Sequence, residues 1–370
     1  MSRVFNKNTI RILILVIVGL AVVLFIKYDA FMYQQPVGQV TKVERQQTTS
    51  EVDNYQNHDH QTTQLVELKI LNGSNRGQKL TISNQYSDSQ AMDNKYRVNQ
   101  QVLLSIHTNR HKKISGTILD IKRDTVVVAL IVTMIGLLII LRATGLRALL
   151  SLAVNVILFF IAVSLDVHRQ GFGVLWIFGL LSLVFTAITL VLVLGWNKKT
   201  LASFLATIGG SAASLIIGML VFTLTHNQGL HFETMEYVTQ NPEPLFLAET
   251  LMGALGAVMD EATDIIVSLD QIVTANPKIT SQEIWQSGKT IGQSIMGPLI
   301  NVLFMIFMAD TFSLMILYLR NGNGVGYAIQ MNMGLGIVQS LISGIGIVLV
   351  IPIASMLASR FLKKEAINHA

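Results

Sequence analysis

Residues 250–268, TLMGALGAVMDEATDIIVS, set three carboxylates, Asp260, Glu261 and Asp264, into a run that is otherwise mostly small or apolar. A carboxyl group in such company can move a proton, hold a cation or bond across a helix interface. Residues four apart share a helix face, so Gly253, Gly256, Asp260, Asp264 and Gln271 form one stripe, with Thr263 beside it. Glu261 lies about 100° round from Asp260, bordering the same space or facing a second helix. The two glycines allow a neighbouring helix to come close. Three uses stay open at this stage. They are a proton or cation site, protonated carboxyls bonded across helices, or a helix end dipping into a headgroup layer with 265–273 lying flat.

The following apolar run carries Ser294, Pro298 and Asn301 on one face, with Gly297 adjacent. Pro298 lacks an amide hydrogen, so the carbonyl four residues earlier needs another partner. That condition is tolerated where a helix lines protein-buried or watered space. Asp310 follows nearer the other end. No Lys or Arg occurs in 246–272 or 290–319, so these acids have no basic partner on either helix. The candidate ion site is therefore Asp260, Asp264 and Glu261 with Ser294 and Asn301, while Gly253, Gly256 and Pro298 shape the helix packing around it. Asn301 taken alone suits interhelical bonding equally well.

The elements that must position these groups read as membrane helices. The 370 residues are 51% hydrophobic and 13% charged, about half the charge of a soluble domain. Eight apolar runs, 10–26, 125–141, 147–165, 172–194, 200–224, 246–272, 290–319 and 334–358, match the roughly 20 residues that cross a hydrocarbon core. The first has a basic start but no small-residue cleavage site after it, which favours an uncleaved anchor. Orientation follows from placing Lys and Arg. With the N-terminus inside, twelve fall in cytoplasmic segments (Arg3, Lys7, Arg11, Arg142, Arg147, Lys198, Lys199, Lys278, Lys289, Arg360, Lys363 and Lys364) against Arg169 and Arg320 in short outer loops. Both termini are then cytoplasmic. The outer loop 225–244 holds Glu233, Glu236, Glu243, His226 and His231, with Pro242 and Pro244 stopping a helix before the sixth span. Residues 320–333, rich in glycine, read as a separate re-entrant or interfacial segment.

Residues 27–124 are different in kind. Period-2 apolar patches at 37–43, 65–71, 79–82, 102–106 and 114–121 read as five short strands. Asn72-Gly73 and Gly77 mark a hairpin turn between two of them. Five strands in this length suit a small OB-like or SH3-like β-barrel, placed outside the cytoplasmic membrane. The stretch 44–62, ERQQTTSEVDNYQNHDHQT, has almost no apolar content and reads as a long loop. The expected fold is thus an α-helical polytopic membrane protein of about eight transmembrane helices, with an anchor helix at 1–26, a β-domain at 27–124 and a seven-helix membrane domain at 125–370.

Chemistry elsewhere has little support. There are no cysteines, which removes thiol catalysis, disulfides and thiolate metal sites. His58-Asp59-His60 has the look of a metal triplet, but in a polar loop it reads as solvated. Phosphate-loop, zinc-protease and serine-hydrolase signatures are missing. No catalytic residue, metal or cofactor is expected, and basic residues spread over short loops do not suggest nucleic acid.

The chain resembles the YibE/F-like family of multi-spanning bacterial membrane proteins. The resemblance rests on GALGAVMD at 253–260 with its continuation to Ser268, IGQSIMGPLIN at 291–301, GIGIVLVIP at 344–352 and LNGSNRGQ at 71–78. Where the family often carries a charged pair after the glycine at 292, this chain has Gln293 and Ser294. The resemblance implies transport or export. From residues and resemblance together, the expected function is a secondary transporter or exporter subunit using carboxylates of the sixth span. The alternative is a non-enzymatic assembly protein whose outer β-domain binds a partner or envelope polymer. Expected partners are the bilayer, a proton or cation, and a second copy or related membrane subunit.

Overall fold

Tyr33, Asn72 and Lys122 come from distant parts of the chain, yet one buried joint gathers all three. The computed structural model describes residues 7–52, 54, 56–90, 93–108, 114–140, 142–168, 173–235 and 241–368. Arg3 and Arg169 of the charge count, and Glu236, lie outside them. The described chain divides into two units, 1–145 and 146–370.

In the first unit, α1 (Lys7–Lys27) leads into β1 (Val37–Val52), β2 (His58–Ile70), β3 (Lys79–Ser87), β4 (Gln101–Thr108) and β5 (Ile114–Ile121), followed by α2 (Asp124–Ile140). The strands form one antiparallel sheet in the order β3-β2-β1-β4-β5. Alternation sets its inner face: Val66, Leu68 and Ile70 of β2 are buried with Val40, Leu80, Val102 and Leu104, and Tyr96 closes the core. The sheet curls strongly. A Cβ at Gly116 of β5 would lie 2.6 Å from the Ser105 carbonyl oxygen and 3.1 Å from Leu80 of β3. Gly73 and Gly77 take positive φ in the β2–β3 turn, where a side chain would be strained.

Residues 44–62 are mostly strand rather than loop. They extend the β1–β2 ladder as far as Val52 opposite His58. Backbone pairing holds this ribbon, and Thr48 bonds Thr62 across it at 3.1 Å. Much of the ribbon's surface is wet, so it carries no apolar alternation.

Lys122 ends the β-domain with its side chain only 1% exposed. Its Nζ makes ion pairs with Asp29 at 2.7 Å and Asp124 at 2.9 Å and donates to the Ile26 carbonyl at 2.6 Å. The Asp29 approach is an ion pair without hydrogen-bond geometry. Tyr33 donates to Asp124 at 2.5 Å, and its ring lies under the ammonium. Asn72 donates to the Tyr33 and Gln35 carbonyls and accepts from the Val37 amide. The end of α1, the sheet and the start of α2 are thereby tied at one point. That Asp124 bond, then burial, pushes the Tyr33 phenol up to about 12. Burial alone would raise the Asp124 carboxyl, but bonds from Tyr33 and Lys122 outweigh it and hold it below the usual range.

In the second unit, α3 (Arg142–His168, entering from the first unit), α4 (Val174–Leu194), α5 (Lys198–Thr225), α6 (Pro242–Ala275), α7 (Ser281–Arg320), α8 (Val325–Ala328) and α9 (Gly334–Asn368) follow one another. Five helices are long and apolar enough to cross a membrane: Gly145–His168, α4, α5, α7 and the run Val325–Leu362. The helix over 124–139 and the stretch 13–27 are apolar but shorter. Pro242 starts α6 rather than stopping a helix before it, because a first-turn proline has no amide to lose and Asn241 caps it. Residues 281–289 extend α7 at its N-terminal end, which a Thr280–Glu283 capping box starts. The stretch 320–333 is not a separate element. A π-helical turn, Ile329–Met333, joins α8 to α9 in one rod.

The middle of the unit is α6 and α9. The most apolar window of the last rod is 56% buried, whereas that of α7 is 0% buried. Contacts are made through glycine: Gly210 of α5 faces Val258 and Val350, Gly346 of α9 faces Val258 and Ser214, and Gly292 of α7 faces Ile265 and Ile351.

Lys122→Met keeps the stem and removes the charge from between two acids. It is expected to cost about 3–5 kcal/mol, seen as earlier thermal loss of the β-sheet circular dichroism signal. The pH dependence has two limbs. Tyr33 has the higher value when folded, so its contribution is complete below pH 10.0 and lost as pH rises through about 12. Asp124 has the opposite sign and loses its contribution as pH falls through its lowered value. Tyr33→Phe should remove the alkaline limb of a stability-against-pH curve and also weaken the acid limb, because Asp124 loses the Tyr33 bond.

Candidate functional site

α6 presents two different faces. Asp260, Asp264, Gly253, Gly256 and Gln271 all lie on an exposed line, and Glu249 extends it toward the N-terminal end. Glu261 points the other way into the core and is 0% exposed. Round the helix, Asp264 sits about 40° and Glu261 about 100° from Asp260, so Asp264 lies angularly between the other two. Side chains three and four apart are neighbours on a helix. The three acids thus form a continuous track from an exposed face to a buried one. The helix runs on to Ala275 and does not stop near 265.

Both carboxylate oxygens of Glu261 lack a hydrogen-bond partner. Among the described residues no Lys or Arg pairs with Asp260, Glu261 or Asp264. The nearest ion pair on this helix is Asp270 with Lys199 of α5, at 3.1 Å. Thr250 lies within about 20° of the Glu261 direction, is fully buried, and also has an unpartnered hydroxyl.

Opposite this face, α5 carries buried hydroxyls along its length. Thr200, Ser203, Thr207, Ser211 and Ser214 fall within one arc of about 80°, and all are buried. Thr207 donates to the Ser203 carbonyl and Ser214 to that of Ser211, while the Ser203 and Ser211 hydroxyls have no partner. α5 and α6 are consecutive, packed helices, and Gly210 meets Val258. The Gly210–Val258 contact and the Lys199–Asp270 pair set the two helices antiparallel, so one turn from the first contact Glu261 comes level with Thr207. Serine and threonine at every third or fourth position of 200–214 was the available signal for this row, and a helical projection of that stretch would have shown it.

The α7 residues are placed elsewhere. α7 packs through Gly288 and Gly292, against Leu269 and Ile265 of α6 and against α9. Ser294, Pro298 and Asn301 are exposed and lie about 180–240° round from Gly292. They are not brought together with the acids of α6. Ser294 bonds back to the Ile291 carbonyl at 2.7 Å. His58-Asp59-His60 lies at the start of β2, where Asp59 accepts from Ser89 and from the amides of His60, Asp88 and Ser89. The Ser89 hydroxyl, first among these donors, holds the Asp59 carboxyl below its ordinary value. No group of three or more His, Cys, Asp or Glu able to hold a metal occurs among the described residues.

A family model described as YibE/F-like protein matches residues 129–364, and one for the YibE/F family N-terminal domain matches 31–121. The chain belongs to the YibE/F-like family. No curated protein and no solved structure matches it. Of the four motifs that resemble the family, LNGSNRGQ forms the β2–β3 turn and the other three fall on α6, α7 and α9, where they meet: Gly292 packs against Ile265 and Ile351, and Gly346 against Val258. The recurrent glycines of this YibE/F-like chain are therefore the contacts that enclose Glu261's helix.

An unpartnered buried carboxylate lowers stability, since its desolvation is not repaid. Glu261→Gln, and the pair Ser203→Ala with Ser211→Ala, are therefore expected to unfold at the same or a higher temperature than the native chain. A lower unfolding temperature for Glu261→Gln would mean that the carboxylate has a structural partner.

Proposed function

We propose that this YibE/F-like protein moves a proton or small cation across a bilayer, as a secondary transporter or exporter subunit, with Glu261 as the buried acceptor. One observation carries this reading: a carboxylate fully enclosed by packed helices, with no hydrogen-bond or ionic partner on either oxygen. Such a group persists only if a proton, a cation or water neutralises or solvates it. Asp260 and Asp264 form the approach from the exposed face, and the α5 hydroxyls continue the polar path beyond Glu261. In the bilayer, eight helices cross with both termini cytoplasmic, and the small barrel-like β-domain lies outside.

A second reading has its own support. The Glu249–Asp260–Asp264 line is exposed on α6, and charges at bilayer depth do not face lipid without large cost. A second copy or a related subunit covering that line would make the helix an assembly surface.

In proteoliposomes under an imposed pH and potential gradient, Glu261→Gln should lower proton- or cation-coupled flux by about 100-fold or more. Asp260→Asn and Asp264→Asn should slow it and leave it measurable, and Glu261→Asp should keep part of it. Unchanged flux in Glu261→Gln ends the transport reading. The assembly reading is checked separately with Gly256→Cys in this cysteine-free chain, where an intermolecular disulfide supports it.

A further inference from the structure

A groove of about 460 Å³ opens between the end of α4 and the first turns of α5. Its walls are Ala187, Leu190 and Val191 of α4 with Leu201 and Phe204 of α5, and its mouth is Trp196, Asn197 and Lys198. Trp196 is 91% exposed. Lys199 follows at the mouth, its ammonium held to Asp270 at 3.1 Å, and no acid lines the groove.

We infer that this groove seats one anionic phospholipid, with an acyl chain between α4 and α5 and the headgroup at Trp196, Asn197 and Lys198. The inference depends on the bilayer placement proposed above, which puts the 195–199 turn at the cytoplasmic face. Three features of the site agree on this occupant. Its walls are apolar and its mouth is polar, which matches the two ends of a lipid. An exposed tryptophan beside the mouth suits the headgroup level, where amphipathic rings collect. Lys198 at the mouth favours negative charge, while Lys199 behind it is already paired with Asp270, and the cytoplasmic leaflet is the one that carries anionic lipid. A zwitterionic lipid would satisfy the walls but gain nothing from Lys198. Asn197 is committed to capping α5 through the Thr200 amide, so the turn that forms the mouth is held in shape before any lipid arrives.

The test uses Trp196 as reporter in the full chain carrying Trp176→Phe and Trp285→Phe, reconstituted in phosphatidylcholine vesicles with brominated lipids added. Brominated phosphatidylglycerol should quench Trp196 saturably at low mole fraction, and brominated phosphatidylcholine only in proportion to its amount. Lys198→Ala should reduce the preference about fivefold. Ala187→Phe, which fills the groove, should remove the saturable part and leave proportional quenching. Equal, proportional quenching by both lipids would overturn the lipid seat while leaving the bilayer placement intact. No quenching by either would overturn that placement, and with it the seat. Proton flux through Glu261 is read independently of both.

Discussion

A carboxylate enclosed among apolar side chains costs several kcal/mol unless something takes up its charge, and this one constraint orders the second unit of the chain. Glu261 is surrounded along its own face of α6 by Ala254, Ala257, Val258 and Ile265, all buried. None of them can donate a hydrogen bond. Among the described residues, three helices packed against α6 carry buried hydroxyls: Ser182 and Thr186 of α4, the Thr200–Ser214 row of α5, and Ser340, Ser343 and Ser355 of α9. In the α5 row, Ser203 and Ser211 are themselves unpartnered. Unsatisfied polar atoms are rare in packed proteins. Several in a single seam mark a place where the bundle gives up stability to keep polar groups available.

Keeping such a seam closed requires helices that approach very near, and glycine provides that. Gly210, Gly292 and Gly346 each bring a backbone against a branched side chain of another helix. The central position of α9 follows, because it contacts α5, α6 and α7 at once. The first unit is built on a different principle. Lys122 neutralises two acids in a buried joint whose polar groups are nearly all satisfied, which suits a rigid attachment. One unit satisfies its buried charge internally and the other leaves it open, and this contrast is why the proposed site is placed in the second unit.

Much of this was legible in the residues. Apolar runs gave the helices, and alternation gave the five strand cores and the turn at 71–78. The ribbon at 44–62 was not legible, because strands with both faces wet carry no apolar alternation. Residues 281–289 are polar, so their membership of α7 depended on recognising the capping box. The stripe Gly253–Gly256–Asp260–Asp264 was read correctly as one face, but periodicity alone does not say which face of a helix is inward. The apolar company of Glu261 on its own arc was the available clue, since glycine and acid dominate the other arc.

The spacing of the polar groups also bears on what the seam could pass. A coordinated cation needs several oxygens converging on one point at 2–2.6 Å. Hydroxyls one turn apart on a helix are separated by about 5.4 Å along the axis, and the row from Thr200 to Ser214 is spread in this way. A proton makes no such demand, because it needs only one donor and one acceptor at each step, with water between them where the gap is wide. For the transport proposed above, Asp260, Asp264, Glu261 and the serine–threonine row of α5 suit a relay better than a coordination shell. Within that proposal, this spacing favours the proton over a coordinated cation.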